Sequence, residues 1–204
     1  MGIRGGMQDR AHEKSKVAVR RRNDPAGVRG RILDAAFELF QSRGYSATSV
    51  HEIAAAARVT GGALHHHFPV KKALGLAVIE DRVGQALEET WLDPVRAAPD
   101  PRRAVLEVFD DLARELDDQG SVRGCPVNNL TLELAYSDAD YREALRRLFD
   151  NWRSVLSKSL GGNEEAVSLT SLIIASYSGA MALAKVEQRG EPLRRCASEL
   201  ARIL

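Results

Sequence analysis

The chain has 204 residues, of which 44% are hydrophobic, and a formal net charge of +1 at pH 7. Two cysteines, Cys125 and Cys196, are too few for a disulfide framework, which favours the reducing cytosol over secretion. No apolar run reaches membrane-spanning length, and the basic N-terminus lacks the apolar segment of a secretory signal. We therefore expect a globular, cytoplasmic protein with no membrane partner.

Charge is distributed unevenly along the chain. Residues 1–80 hold 13 Lys and Arg against 7 Asp and Glu, whereas residues 81–204 hold 16 against 21. A basic first part predicts a polyanionic partner for that part alone. We interpret residues 1–24, which include Arg20-Arg21-Arg22, as a disordered basic arm that supplies some of the excess. A solvated tail without a partner is the simpler alternative.

Three helices are predicted within residues 25–70. Helix 1 follows Asp24-Pro25, a capping side chain and a proline at the first helical position, and it ends at Gly44. Helix 2 begins at Ser49, which forms a capping-box pattern with Glu52, and runs to about position 57. Thr60 caps a short helix 3 that ends near position 68.

Six further helices are predicted from apolar spacing and from helix breakers. We place them at about 70–91, 101–119, 126–136, 139–160, 164–189 and 191–204, with Pro94 closing the first of them. Neither strand-like alternation with hairpin turns nor an internal repeat is visible. The pattern predicts an all-α protein of about nine helices.

Residues 45–74 contain two short helices joined by a tight turn, and the second helix is too small and bare to be a core element. This pattern is typical of a helix-turn-helix, whose second helix enters the major groove of DNA. Arg58 lies in the turn, where we expect a left-handed backbone. That conformation costs a non-glycine residue about 1 kcal/mol. A contact between the guanidinium and a phosphate would offset the cost.

Five motifs lie in and around this segment: Arg31-Ile-Leu-x-Ala-Ala-x-x-Leu-Phe40, Gly44-Tyr45, Thr48-Ser-Val-x-Glu-Ile-Ala54, Val59-Thr-x-Gly-Ala-Leu-x-x-His-Phe68 and Lys71-x-Ala-Leu74. As a set they resemble the DNA-binding domain of TetR-family transcriptional regulators. The resemblance implies a three-helix DNA-binding domain at residues 25–70. It also implies a helical ligand-binding and dimerisation domain at residues 71–204.

The resemblance assigns DNA contacts to matching positions. The candidate residues are Ser49, His51, Arg58, Thr60, Gly61, Gly62, Ala63, His65, His66 and Lys71. The capping hydroxyls and Lys71 would hold phosphates, and the start of helix 3 would face the groove. His65 stands where the family usually has tyrosine, and Gly61-Gly62-Ala63 offers few donors. We therefore predict few direct side-chain contacts to base edges, supplemented by recognition of DNA shape and by the basic arm.

Proteins of the TetR type hold a small-molecule ligand in the C-terminal body, so some residues there should line a pocket. The candidates are Trp91, Phe109, Cys125, Asn129, Leu134, Tyr141, Phe149 and Trp152. Tryptophan and tyrosine suit the role because each combines an apolar ring with a polar tip. For most of these residues a place in the helical core is the better interpretation. Asn128 can orient a ligand or cap a helix.

Cys125 follows Arg123-Gly124 and precedes Pro126, which places it at a helix N-terminus beside a cation. Both features lower the pKa of a thiol, so we consider a redox or electrophile sensor. Some TetR-like regulators carry a similar Gly-Cys pair before this helix. A small buried cysteine is the alternative.

The eighth helix is apolar almost all round and carries a strip of small residues at helical spacing. The candidate dimer interface combines that strip with residues of helix 9: Ser171, Ala175, Ser178, Gly179, Ala182, Leu193 and Leu200. Two helices from each of two chains would form a four-helix interface. Packing of the same strip within one chain is the alternative.

His65-His66-His67 does not predict a metal site, because successive helical residues lie about 100° apart and cannot share one face. No paired nucleophile and base and no phosphate-binding loop are identifiable, so we expect neither an enzyme nor a cofactor. These residues and the family resemblance together imply a homodimeric DNA-binding regulator, a repressor rather than the alternative of an activator, which a small-molecule inducer releases from a palindromic operator. The competing hypothesis is a helical small-molecule-binding or cysteine-based electrophile-processing protein whose helix-turn-helix is idle.

Overall fold

The computed structural model describes residues 25–204, with side chains from residue 27 onward, so the predicted basic arm (1–24, including Arg20–Arg22) lies outside it. Nine helices occupy the described residues, with no strand among them: α1 Pro25–Arg43, α2 Val50–Ala56, α3 Gly61–His67, α4 over residues 71–97, α5 Pro101–Gln119, α6 Pro126–Leu134, α7 Ala139–Ser159, α8 Glu164–Glu187 and α9 Glu191–Leu200. The all-α prediction is confirmed.

Local capping determines where the helices of the first half begin. The Ser49 hydroxyl accepts a hydrogen bond from the Glu52 amide, and the Glu52 carboxylate accepts one from the Ser49 amide at 2.8 Å. Thr60 accepts one from the Ala63 amide at the start of α3. Each bond satisfies a backbone donor that the first turn of a helix leaves without a partner. The predicted caps are therefore present.

Helix α4 is longer than predicted. It runs without a break through Lys71–Val78, a π-helical turn at Ile79–Val83, Gly84–Leu87, a second π-helical turn at Glu88–Leu92, and Asp93–Ala97. The prediction that Pro94 closes it is wrong. Pro94 lies inside the continuous helix, immediately after the second π-helical turn, where the hydrogen-bond ladder of the helix is already irregular.

The three-helix unit packs around a core that continues into the body. Helix α1 contacts α2, α3 and α4, and its buried side chains Ile32, Leu33 and Phe40 lie in one core with Ile53 and Leu64. Leu64 is the buried anchor of α3. The remaining surface of this short helix is therefore free to face outward.

In the second half, α8 packs against α7 and α9, while α9 packs against α5. Leu193 and Leu200, predicted at a dimer interface, are buried within the chain. The prediction that these two leucines lie at a dimer interface is wrong, because the apolar face of α9 is already buried within its own protomer.

Helix α8 has one buried and one exposed apolar face. Ile173 and Tyr177 are buried, whereas Val167, Leu183 and Val186 are more than half exposed. By length and composition α8 could cross a membrane, contrary to the prediction that no segment could. A core helix meets the same criterion, and α8 packs within the body through its inner face. The outer face is the part that the described residues, 27–204, leave exposed.

Candidate functional site

The surface of α3 has the shape expected of a DNA-reading helix. Gly61, Gly62, His65 and His66 are exposed, while Leu64 points into the core. An added Cβ at either glycine would meet nothing within 4 Å, so the outward face at the start of α3 is bare. Another molecule can therefore approach the α3 backbone closely.

The turn before α3 has the predicted geometry. Arg58 adopts φ +54°, a left-handed conformation, and its side chain is exposed. Among the remaining candidates for DNA contact, Ser49, His51 and Thr60 are exposed, and Ala63 is half-buried. The Ser49 hydroxyl donates to Glu52 at 2.7 Å, so a phosphate contact through it requires that this bond be exchanged.

Lys71 has an internal role that the sequence analysis missed. Its ammonium donates a hydrogen bond of 2.6 Å to the Tyr45 carbonyl and lies 4.2 Å from the centre of the Tyr45 ring. Partial burial lowers the pKa of Lys71, although nearby carboxylates oppose that shift. The ammonium thus fastens the start of α4 to the loop before α2. A phosphate contact through Lys71 stays a prediction.

A second interaction connects the body to the same loop. The Glu133 carboxylate of α6 accepts hydrogen bonds from the Tyr45 amide at 2.8 Å and the Ser46 amide at 2.6 Å. Burial alone would raise the pKa of Glu133, but the hydrogen bonds from Ser46 and Tyr45 outweigh it and keep that pKa below its usual range. The ionised carboxylate therefore holds the helix-turn-helix against the body.

Two further contacts cross the same boundary. The Tyr141 hydroxyl donates to that of Tyr45 at 2.6 Å, and burial raises the pKa of Tyr141. The Asn129 amide donates to Gln41 at 2.8 Å. Helix α6 thus contributes both Asn129 and Glu133 to the boundary, one helical turn apart. No local sequence signal marks these pairs, because their partners lie far away in the chain.

Most of the predicted ligand-binding residues fill the core. Trp91 and Trp152 are almost fully buried and lie 5.0 Å and 5.6 Å, between ring centres, from Tyr177. Phe109 meets Trp91 edge-on, and Phe149 stacks on Trp152. Leu134 is buried, and Tyr141 bonds Tyr45. This packing is the core interpretation that the sequence analysis preferred for most of them.

A cavity of about 330 Å³ lies instead between α6 and α8. It is lined by Gly124, Cys125, Asn128, Asn129, Thr131, Leu132, Ser178, Met181, Ala182 and Lys185. Of the predicted ligand-binding residues only Cys125 and Asn129 are among them. Ser178 and Ala182, predicted at the dimer interface, also line the cavity, so its wall adjoins the small-residue strip.

Polar groups in the cavity wall are partly paired with one another. The Ser178 hydroxyl donates to the side-chain oxygen Oδ1 of Asn128 at 3.2 Å, and the Lys185 ammonium donates to Oδ1 of Asn129, also at 3.2 Å. The Thr131 hydroxyl is buried with no hydrogen-bond partner within the described part of the chain. A bound molecule could satisfy such groups.

Cys125 lies at the N-cap of α6, as the sequence predicted, but the rest of its environment differs from the prediction. It is buried, and burial raises the pKa of its thiol, although hydrogen bonds from Asn128 and Tyr177 oppose the shift. The Arg123 guanidinium turns away to pair with Glu38 at 2.7 Å. The expected lowering of the pKa is therefore wrong, and the buried-cysteine alternative fits better.

The small-residue strip lies largely on the uncovered face of α8. Ser171, Ala175, Gly179 and Ala182 are exposed, and an added Cβ at Gly179 would meet nothing within 4 Å. Of the five residues of the strip, only Ser178 is partly buried, through its contact with Asn128. The role of the strip in a dimer interface stays a prediction, with packing inside the chain as its alternative. The strip offers a surface on which another helix can lie closely.

Comparisons with known proteins agree with this geometry. Residues 32–78 match the family model described as bacterial regulatory proteins, tetR family, and residues 101–199 match the C-terminal domain model of LmrA/YxaF-like transcriptional regulators. The chain is 29% identical over 182 residues to the HTH-type transcriptional repressor DhaR of Mycobacterium sp. strain GP1, covering 81% of this chain and 86% of that protein. It is 31% identical over 175 residues to the transcriptional regulator AcuR of Cereibacter sphaeroides, covering 79% and 78%.

Solved structures show the same fold. A regulatory protein TetR from Rhodobacter sphaeroides superposes with a TM-score of 0.76 at 24% identity, over 86% of this chain and 97% of that chain. A TetR transcriptional regulator from Chloroflexus aurantiacus superposes with a TM-score of 0.74 at 27% identity, over 87% and 94%. This chain belongs to the TetR family of transcriptional regulators.

Proposed function

We propose that the protein is a cytoplasmic, ligand-responsive repressor that binds a palindromic operator as a homodimer and releases it when a small molecule occupies the body. Residues 25–70 form the DNA-binding unit, and residues 71–204 bind the ligand and dimerise. Relatives named as repressors support the direction of regulation. The observation that carries the proposal is the bare, exposed face of α3 above its single buried anchor, Leu64.

Dimerisation follows from the exposed face of α8. Its small residues allow another helix to approach closely, and burial of its exposed Leu183 and Val186 at an interface would be favourable. Two-fold symmetry would then present two α3 helices to successive major grooves. A dimer also explains why α8 is apolar on the side that the described part of the chain leaves exposed.

Ligand control requires that the body and the helix-turn-helix be coupled. Glu133 and Asn129 on α6 provide that coupling, since they hold the loop before α2 and the end of α1. Because coupling is reciprocal, an effector that weakens DNA binding tenfold must itself bind tenfold more weakly to the DNA complex.

The test begins with selection of genomic fragments by the purified protein, followed by footprinting and by anisotropy titrations on the selected duplex at several salt concentrations. We expect a palindromic footprint and an affinity that falls steeply with salt. His65→Ala and His66→Ala should shift base preference at few positions, because we predict few direct side-chain contacts to base edges. Failure to enrich any fragment, or equal binding to every duplex in low salt, would refute the proposal.

A further inference from the structure

The cavity between α6 and α8 is continuous in its lining with a second, more open cavity at the domain boundary. The second cavity has a volume of about 500 Å³ and reaches Gln41 and Gly44 at the end of α1. Asn129, Leu132 and Lys185 line both. A molecule bound in the first cavity would therefore touch the residues that face the DNA-binding unit.

Lys185 is the residue that gives this site a charge preference. Its ammonium donates to the neutral Asn129 side chain at 3.2 Å, and it forms no ion pair within residues 27–204. The other charged groups of the two cavities are engaged elsewhere: Arg43 pairs with Glu52 at 2.9 Å, and Glu133 accepts from two backbone amides. A cation beside a concave site without a paired carboxylate favours an anionic ligand group.

The rest of the first cavity favours an apolar ligand body. Its wall includes Met181, Leu132 and Ala182, and its volume of about 330 Å³ suits a small organic molecule. The buried Thr131 hydroxyl, which has no partner among the described residues, and the Asn128 amide add hydrogen-bonding groups beside this surface.

We propose that the α6–α8 cavity binds the effector, and that the effector is a small organic carboxylate whose apolar part lies against Met181 and whose carboxylate pairs with Lys185. The inference rests on the proposed ligand-responsive function and specifies its site and chemistry. It moves the ligand away from the aromatic core of Trp91 and Trp152 to a place beside the small-residue strip of α8.

The position of Lys185 also indicates how binding reaches the DNA-binding unit. A bound carboxylate competes with Asn129 for the Lys185 ammonium. Asn129 is the residue that bonds Gln41 on α1 and the Arg123 carbonyl at 3.0 Å, and it lies one turn from Glu133. Rearrangement of Asn129 therefore disturbs both contacts through which α6 holds the helix-turn-helix.

Met181 provides a direct reporter, because the chain has three methionines and the other two, Met1 and Met7, precede the described residues. The experiment labels methionine methyl groups with ¹³C in the full chain and titrates it with butyrate, hexanoate and benzoate. The matched primary amides, butyramide, hexanamide and benzamide, control for the apolar part. Lys185→Gln removes the charge, and Lys158→Gln, at an exposed lysine of α7, is the matched control.

We expect at least one acid to shift the Met181 signal in a saturable way, with its amide binding about tenfold or more weakly. Lys185→Gln should weaken acid binding by a similar factor, and Lys158→Gln should leave it unchanged. Acids and amides that bind equally, an affinity unaffected by Lys185→Gln, or a Met181 signal that no acid moves would each overturn the assignment. Operator binding without acid is measured in parallel, so a failure of DNA binding stays distinguishable from a failure of this site.

Discussion

Arg58 keeps a left-handed backbone at φ +54° while its side chain remains in solvent. Within residues 27–204 its guanidinium forms no hydrogen bond or ion pair that would offset this strain. A phosphate contact is the compensation that the fold suggests.

Replacing Arg58 tests that compensation. Arg58→Gly should raise the free energy of unfolding by at most about 1 kcal/mol, because glycine adopts positive φ without strain. It should also weaken operator binding and reduce the salt dependence of the affinity, as expected when a phosphate contact is lost. Chemical denaturation and anisotropy titrations measure the two effects. Arg58→Lys, which keeps the charge, should retain most of the salt dependence; equal salt dependence in the Gly variant would exclude the contact.

Glu133 makes the domain boundary sensitive to acid. Its folded-state pKa lies below the ordinary value of 4.5, so the ionised form stabilises the fold above that pH, and this stabilisation is lost as the pH falls through the lowered pKa. Glu133→Gln should therefore reduce the free energy of unfolding at neutral pH, and the difference from the unmodified protein should shrink below pH 4.5. Urea unfolding across pH measures it.

A suitable control for Glu133 is Glu107→Gln on α5, where the carboxylate is exposed and pairs with Arg103 on its own helix. It should change stability little at any pH. If the difference between Glu133→Gln and the unmodified protein were independent of pH, the carboxylate would not be holding the loop in its ionised form.

At the scale of the element, α3 is stable only as part of a packed unit. Seven residues are too few for an isolated helix, so α3 depends on its Thr60 cap and on the burial of Leu64. The glycines at its start add nothing to stability. Their value lies in the absence of side chains where DNA would approach.

Gly62→Ala separates these two effects. Alanine has the higher helix propensity, and its Cβ meets nothing within 4 Å, so the variant should be as stable as the original or more stable by up to about 1 kcal/mol. Operator affinity should fall, because the methyl group fills the space needed for close backbone approach. Thermal unfolding and anisotropy on the same samples give both values; unchanged affinity would show that this face does not meet the duplex.

The sequence was most informative about helices whose ends are set by neighbours in the chain. Ser49, Thr60 and Gly44 predicted the boundaries of the helix-turn-helix because caps and positive φ act over a few residues. The π-helical turns of α4 and its continuation beyond Pro94 were missed. Those features depend on packing against other helices, which local spacing does not report.

At the scale of the whole molecule, the sequence predicted the all-α class but not the location of the cavity. The family resemblance implied a pocket in the body that some of the aromatic residues would line, yet Trp91 and Trp152 pack against Tyr177 in the core. The cavity lies between α6 and α8, and its wall combines residues about fifty positions apart in the chain. Likewise, Leu193 and Leu200 have the right spacing for an interface but are covered by α5.

The proposed function requires that α8 pair two protomers so that two copies of α3 meet one palindromic duplex. Native mass spectrometry of the protein with the selected operator counts the protomers on each duplex. We predict two protomers per duplex, while Ala175→Arg, folded by circular dichroism, should be monomeric and bind about a hundredfold or more weakly. Ala97→Arg, at an exposed position of α4, is the control and should behave as the unmodified protein. One protomer bound per palindrome, or an Ala175→Arg monomer with undiminished affinity, would contradict the account.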